Sequence, residues 1–159
     1  MHIPDHPGYS TMRHDLVTDP VPEAPWDVIH ARMVLIHIPE RRDVLVRLAG
    51  ALAPGGALVI EDWATQFGSL VLAAPSPADA DLFDTYQETM LRIMPARGNE
   101  PMWGTQVHSL MLAARLSDVD TYVDARSWRG GTAGALIHSA NVAQLQPEFL
   151  AAGFTHADI

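Results

Sequence analysis

The order of four patterns between residues 26 and 63 constrains this chain most. WDVIHARMVLIHI (26–38) is a mostly apolar run rich in Val and Ile, and its first half reads as a strand buried on both faces. ERRDVLVRLAGAL (40–52) follows, with Val44, Leu45, Leu48 and Leu52 on one helical stripe and Arg41, Arg42 and Arg47 off it. Pro39 suits the entry to a helix, and Glu40 and Asp43 suit its positive end. Pro54-Gly55-Gly56 stops that helix, and ALVIEDW (57–63) reads as a second buried strand ending in two carboxylates. Strand, helix, turn and strand within about forty residues make a βαβ unit, so the sheet is parallel and the class is α/β.

The chain has 159 residues, one domain's worth, and 48% of them are apolar, enough for a real core. There is no cysteine, which removes disulfides and thiolate chemistry. All ten basic residues are arginine, which removes Schiff-base chemistry on lysine. A formal charge of −9 with no basic cluster argues against nucleic acid as a partner. The N-terminal MHIPDHPGYSTM has neither the basic region nor the apolar region of a signal peptide. Apolar runs such as 70–74 are far too short to cross a membrane, so the expected location is the cytoplasm.

Elsewhere the signals are looser. Six Pro and Gly residues punctuate 1–25, which reads as loop apart from one extended piece around Met12 to Leu16. Ser76-Pro77-Ala78-Asp79 announces a helix that carries Leu82, Phe83, Tyr86, Met90, Ile93 and Met94 at helical spacing. A loop (95–104), a helix (105–115) with Val107, Leu110, Met111 and Ala114 inward, and a third strand over 119–128 follow. Gly130, Gly131 and Gly134 turn the chain into a helix over 135–145, then comes a short helix with Gly153 as its C-cap. Thr155-His156-Ala157-Asp158 is a capping pattern that announces a further helix, yet the sequence stops at Ile159, which reads as a chain cut short.

Five words in order resemble the middle of class I S-adenosylmethionine-dependent methyltransferases of the small-molecule type: the Asp15 segment, Trp26-Asp27-Val28-Ile29, His37-Ile38-Pro39, Leu52-Ala53-Pro54-Gly55-Gly56 and Ile60-Glu61-Asp62. WRGG (128–131), Asn141, Gln144-Leu145 and Gly153 are similar to the tail of such enzymes. The resemblance covers about residues 12–159. It implies a partial Rossmann-like fold in one domain (1–159): a central βαβ core over 12–63, a helical cap insertion over 64–104 and a helix–strand–helix part over 105–159. The family's Gly-rich cofactor loop, its ribose-binding acid and its last strand have no counterpart here. The expectation is therefore a truncated domain with a reduced sheet, in which only 26–32 and 57–62 are neighbours. It would function with a complementing chain or as a homo-oligomer.

The resemblance implies S-adenosylmethionine as cofactor and methyl transfer to an oxygen, nitrogen or carbon of a small molecule. Ligands of open parallel sheets sit beyond the carboxyl ends of the strands, which selects Asp15-Leu16, Ala31-Arg32-Met33 with His37, and Glu61-Asp62-Trp63. By resemblance Asp15 meets the adenine amino group with Leu16 beside it, and Ala31, Arg32, Met33 and His37 line the cofactor. A carboxylate suits an exocyclic N–H donor, although Asp15 also suits the capping of a turn. His37 is the candidate base, since imidazole titrates near neutrality; packing against a helix start is the other role open to it. Asp62, Trp63, Phe67 and Trp103, near Met102, could wall an apolar substrate or belong to ordinary packing. No metal site is expected, because His30 and His37 stand seven residues apart, with neither HxxxH nor HxH spacing between them. Arg129 to Gly134 has its glycines at the wrong positions for a dinucleotide loop and reads as a turn. The rival function is a non-catalytic α/β interaction module or one half of a split enzyme. A hydrolase is set aside for want of G-x-S-x-G.

Overall fold

The structure, a computed structural model, describes residues 7–65 and 71–159. Its elements in chain order are β1 (Trp26–Arg32), a 3-10 turn (Leu35–His37), α1 (Arg41–Gly50), β2 (Leu52–Glu61), α2 (Pro77–Ala96), α3 (Trp103–Ala113), α4 (Ala133–Gln144) and α5 (Gln146–Ala151). β1 and β2 pair in parallel, with Val28 opposite Ala57, His30 opposite Val59 and Arg32 opposite Glu61. They form a two-stranded sheet among the described residues, which is the reduced α/β core expected.

Pro54-Gly55-Gly56 does not precede β2 but lies inside it. The ladder starts at Trp26 opposite Leu52 and resumes at Val28 opposite Ala57, so the four residues 53–56 form a bulge on an edge strand, where proline costs no ladder bond. A side chain at Gly56 is impossible there, since its Cβ would stand 2.7 Å from the Trp26 carbonyl oxygen.

Two apolar clusters hold the chain. The first contains Ala31, Leu35, Ile36, Val44, Leu45, Leu48, Trp103 and Met111, joined by Leu58, Ile60, Val107, Leu110 and Ala114. Val44, Leu45 and Leu48 of the expected α1 stripe are buried, as is Met111 of α3, with Val107, Leu110 and Ala114 half-buried beside it. Leu52, expected on the helix, instead begins β2, because α1 ends at Gly50. The strands, however, bury one face only: Ile29, Ala31, Leu58 and Ile60 point into this cluster, whereas Val28 is 59% and Val59 41% exposed. β1 is therefore not the doubly buried strand that its composition suggests, because α1 and α3 cover one side of the sheet.

The second cluster sets the α2 stripe (Leu82, Phe83, Tyr86, Met90, Ile93) against Val142, Leu145, Phe149 and Phe154. Tyr86 stacks on Phe149, and His138 meets Tyr86 and Phe83 edge-on. Burial here pushes the Tyr86 hydroxyl up, against a hydrogen bond from Asn141, and pushes the His138 imidazole down. The expected Ser76 cap forms, its Oγ accepting from the Asp79 N–H at 3.2 Å. Pro95 does not begin a loop but sits in the last turn of α2, which closes on Gly98 at φ +82. The Gly98 N–H donates to the Pro95 carbonyl and the Asn99 N–H to the Met94 carbonyl, the two bonds of a Schellman cap. Gly153 closes α5 in the same way.

Two expected strands are not strands. Residues 16–18 form a turn, and 119–129 run without ladder bonds, with Tyr122 and Val123 largely exposed. Alternating β-formers become a strand only when a partner strand supplies hydrogen bonds, and none of the described residues does so here. Thr155 to Asp158 close a single capped turn, with the Thr155 N–H and hydroxyl both on Asp158 Oδ2 at 2.7 Å. No helix among the described residues is long and apolar enough to cross a membrane.

Candidate functional site

Asp15 heads a tight turn. Its Oδ1 accepts the Val17 N–H at 2.8 Å and the Thr18 N–H at 3.3 Å, and these bonds hold its carboxyl below the ordinary carboxylate range. The Asp15 N–H is in turn held by Asp19 Oδ2 at 2.9 Å. Arg47 of α1 fixes the turn from below, donating to the carbonyls of Val17 (2.8 Å) and Leu16. Arg13, His14, Asp15, Leu16, Val17 and Asp19 line an open cleft of about 600 Å³, and Ile38, from the segment leaving β1, completes it.

A second set of groups gathers on the 3-10 turn. Both Asp62 oxygens and Trp103 Nε1 are buried without a well-formed hydrogen bond. Burial pushes the Asp62 carboxyl up, opposed by the nearby Ile36 amide, His37, the Trp103 indole and the Leu35 amide. His37 is exposed, and its Nδ1 bonds Asn99 Oδ1 across 62 residues of sequence. The Glu100 N–H donates to the Ile36 carbonyl at 2.9 Å, and Arg41 reaches the carbonyls of Leu35 (3.2 Å) and Gly98. The end of α2 is thus tied to the turn by main chain as well as side chain. Below them Gly104 lets α3 begin hard against β2: its N–H donates to the Trp63 carbonyl at 3.0 Å, and a Cβ there would lie 2.8 Å from the same oxygen.

The residues singled out from sequence are distributed as follows. Asp15 and Leu16 share the cleft. His37, Asp62 and Trp103 meet at the 3-10 turn, where Trp103 is fully enclosed in the first apolar cluster. Ala31 is buried under β1, and Arg32 turns outward to Glu61 at 3.4 Å. Met33, at φ +54, donates its N–H to the Glu61 carbonyl at 2.8 Å. Trp63 is 40% exposed. Phe67 lies outside the described residues. His30 bonds Glu61 at 2.7 Å, and among the described residues no three His, Asp or Glu side chains converge as metal ligands. Asn99 was missed from sequence. Its one signal was Gly98 just after an amphipathic helix, the place of a C-cap glycine.

The Asp62 shift fixes a pH dependence. A folded-state pKa above the ordinary 3.8 means that the folded state binds more protons than the unfolded one between those two values. Stability therefore falls as pH rises through that window, and at neutral pH the ionised carboxylate is a net cost. Asp62→Asn is expected to raise the melting temperature at neutral pH and to flatten its acid-side change. Thermal melts at mildly acidic and neutral pH check this, and an unchanged pH slope contradicts it.

An α/β chain with an open cleft beside a parallel βαβ unit belongs to the broad class whose ligands gather at strand ends. Comparison with known proteins narrows the class. A family model described as a methyltransferase domain matches residues 5–155, and the chain belongs to that family. It is a class I, partial Rossmann-like domain. It is 32% identical over 124 residues to methyltransferase str2 of Strobilurus tenacellus, covering 74% of this chain and 42% of that protein. It is 42% identical over 43 residues to methyltransferase str3 of the same fungus, covering 27% of this chain and 16% of that protein. The chain thus spans less than half the length of these curated relatives. No solved structure matches.

Proposed function

We propose that this chain holds the adenine end of S-adenosylmethionine and presents His37 to a small-molecule methyl acceptor. The observation that carries the reading is the Asp15 cleft. Oδ1 of Asp15 is used by its own turn, with the Thr18 side chain close by, while Oδ2 takes no well-formed hydrogen bond from the described residues and can accept from an exocyclic amine. Leu16, Val17 and Ile38 add apolar surface for a ring. These residues fit the adenine of that cofactor. When bound, the cofactor supplies a methyl carbon on a sulfonium whose bonding pair leaves with sulfur. Arg47 keeps the Asp15 loop in place, and His37 accepts a proton from the acceptor.

Calorimetric titration of the purified chain with S-adenosylmethionine, reaching millimolar concentration, tests this. Saturable heat is expected. Asp15→Asn keeps an oxygen for the turn but puts an amide where the adenine amine would donate, and should weaken binding roughly 10- to 100-fold, the worth of a hydrogen bond to a charged group. Absence of heat from folded protein would favour the interaction-module reading instead.

A further inference from the structure

Asn99 makes one main-chain bond and two side-chain bonds, and together they determine which nitrogen of His37 can take a proton. The Asn99 N–H and its Nδ2 both donate to the Met94 carbonyl, at 3.1 and 3.2 Å. An amide flipped end for end would set Oδ1 against that carbonyl oxygen, oxygen against oxygen. Nδ2 therefore stays on Met94, and Oδ1 is what faces His37 Nδ1. An amide oxygen can only accept, so Nδ1 must carry the hydrogen. The neutral ring then has its lone pair on Nε2, which bonds none of the described residues. Free imidazole side chains favour the opposite tautomer, with the hydrogen on Nε2, so the arrangement is imposed by the fold.

We infer that Asn99 is a positioning residue: by holding His37 as the Nδ1–H tautomer it makes Nε2 the proton-accepting atom toward the acceptor's O–H or N–H. The role of His37 as base rests on the function proposed above, while the tautomer does not. The geometry is rigid for a reason visible in the chain. Asn99 is the residue after the left-handed Gly98 of the α2 cap, Arg41 holds the Gly98 carbonyl, and the Glu100 N–H holds Ile36. Three contacts thus fix one amide over one ring, the support that a catalytic imidazole needs.

The molecule contains its own reference. Asn141 Nδ2 donates to the Tyr86 hydroxyl at 3.4 Å, and that hydroxyl, which can donate or accept, faces His138 Nδ1 at 3.2 Å. His138 thus bonds a hydroxyl that suits either tautomer, and Asn99 makes no bond to it, so this ring is the control. Long-range proton–nitrogen correlation spectra of the whole chain, in alkaline solution where an imidazole carries a single N–H, read both rings, with His37→Gln and His138→Gln assigning them. The expected result is a protonated-type Nδ1 on His37. Asn99→Ala keeps the main-chain bond to Met94 and so the cap, and should revert His37 to Nε2–H with His138 unmoved. Asn99→Asp loses the Nδ2 bond to Met94 but, held by its main-chain N–H, still offers His37 Nδ1 a carboxylate oxygen and should keep Nδ1–H. His37 found as Nε2–H in the unaltered chain, or still Nδ1–H in Asn99→Ala, overturns the inference. The spectra need no cofactor, so failure to bind S-adenosylmethionine would remove the proposed function and leave this result standing.

Discussion

Trp103→Ala is expected to destabilise the chain by about 3–5 kcal/mol, the usual cost of deleting a buried aromatic side chain. Trp103 has no exposed surface and packs in the first cluster with Leu35, Ile36, Val44 and Leu45. It also stands beside the buried Asp62 carboxylate, so its loss opens a cavity next to an ion that lacks a well-formed hydrogen bond. Net stabilities of about 5–15 kcal/mol leave little after such a loss. Urea titration followed by far-UV circular dichroism measures it. Trp63, 40% exposed, is the control, and its alanine variant should change stability by far less. Equal effects from the two would mean that Trp103 is not the centre of this core.

Phe149→Ala should cost a similar 3–5 kcal/mol, but in a different place. Phe149 is fully buried between Tyr86, which it stacks on, and Phe154, which meets it edge-on. That cluster joins α2, α4 and α5, whereas the sheet, α1 and α3 belong to the other one. Helix α2 connects them, since Ile93 packs into one cluster and its neighbour Met94 into the other. The expected result is a split transition: hydrogen exchange of α4 and α5 speeds up strongly while that of β1 and β2 changes little. Uniform acceleration along the chain would show a single cooperative core instead.

Local patterns carried much of this fold. The α1 stripe, the Ser76 cap, the inward face of α3 and the Gly153 cap are short-range features, each determined by residues within a turn or two of each other. What sequence could not show depended on neighbours far along the chain. Composition made β1 look doubly buried, yet burial of Val28 requires a layer on the other side of the sheet. The alternation at 119–128 was real, but a ladder needs a partner. Pro54-Gly55-Gly56 read as a stop because a bulge is recognisable only once the opposite strand is in register. At the site, the Asp15 turn was legible from a carboxylate two residues before the amide it caps. Asn99 was not legible, because what gives it meaning is a ring 62 residues away.

The two arginines of α1 act on the site as a ruler. Arg47 grips the carbonyls of Leu16 and Val17, and Arg41 grips those of Leu35 and Gly98. Six residues of helix separate them, about 9 Å of rise, so the distance from the Asp15 loop to the His37 turn is set by a rod rather than by the loops themselves. Every acceptor is a main-chain oxygen, which any residue supplies. Side chains around the cleft can therefore be exchanged, and the pocket reshaped for another ligand, without losing the spacing between its two halves. Lysine would hold this measure less firmly, since its ammonium is a point charge on a flexible stem without the planar fork of a guanidinium.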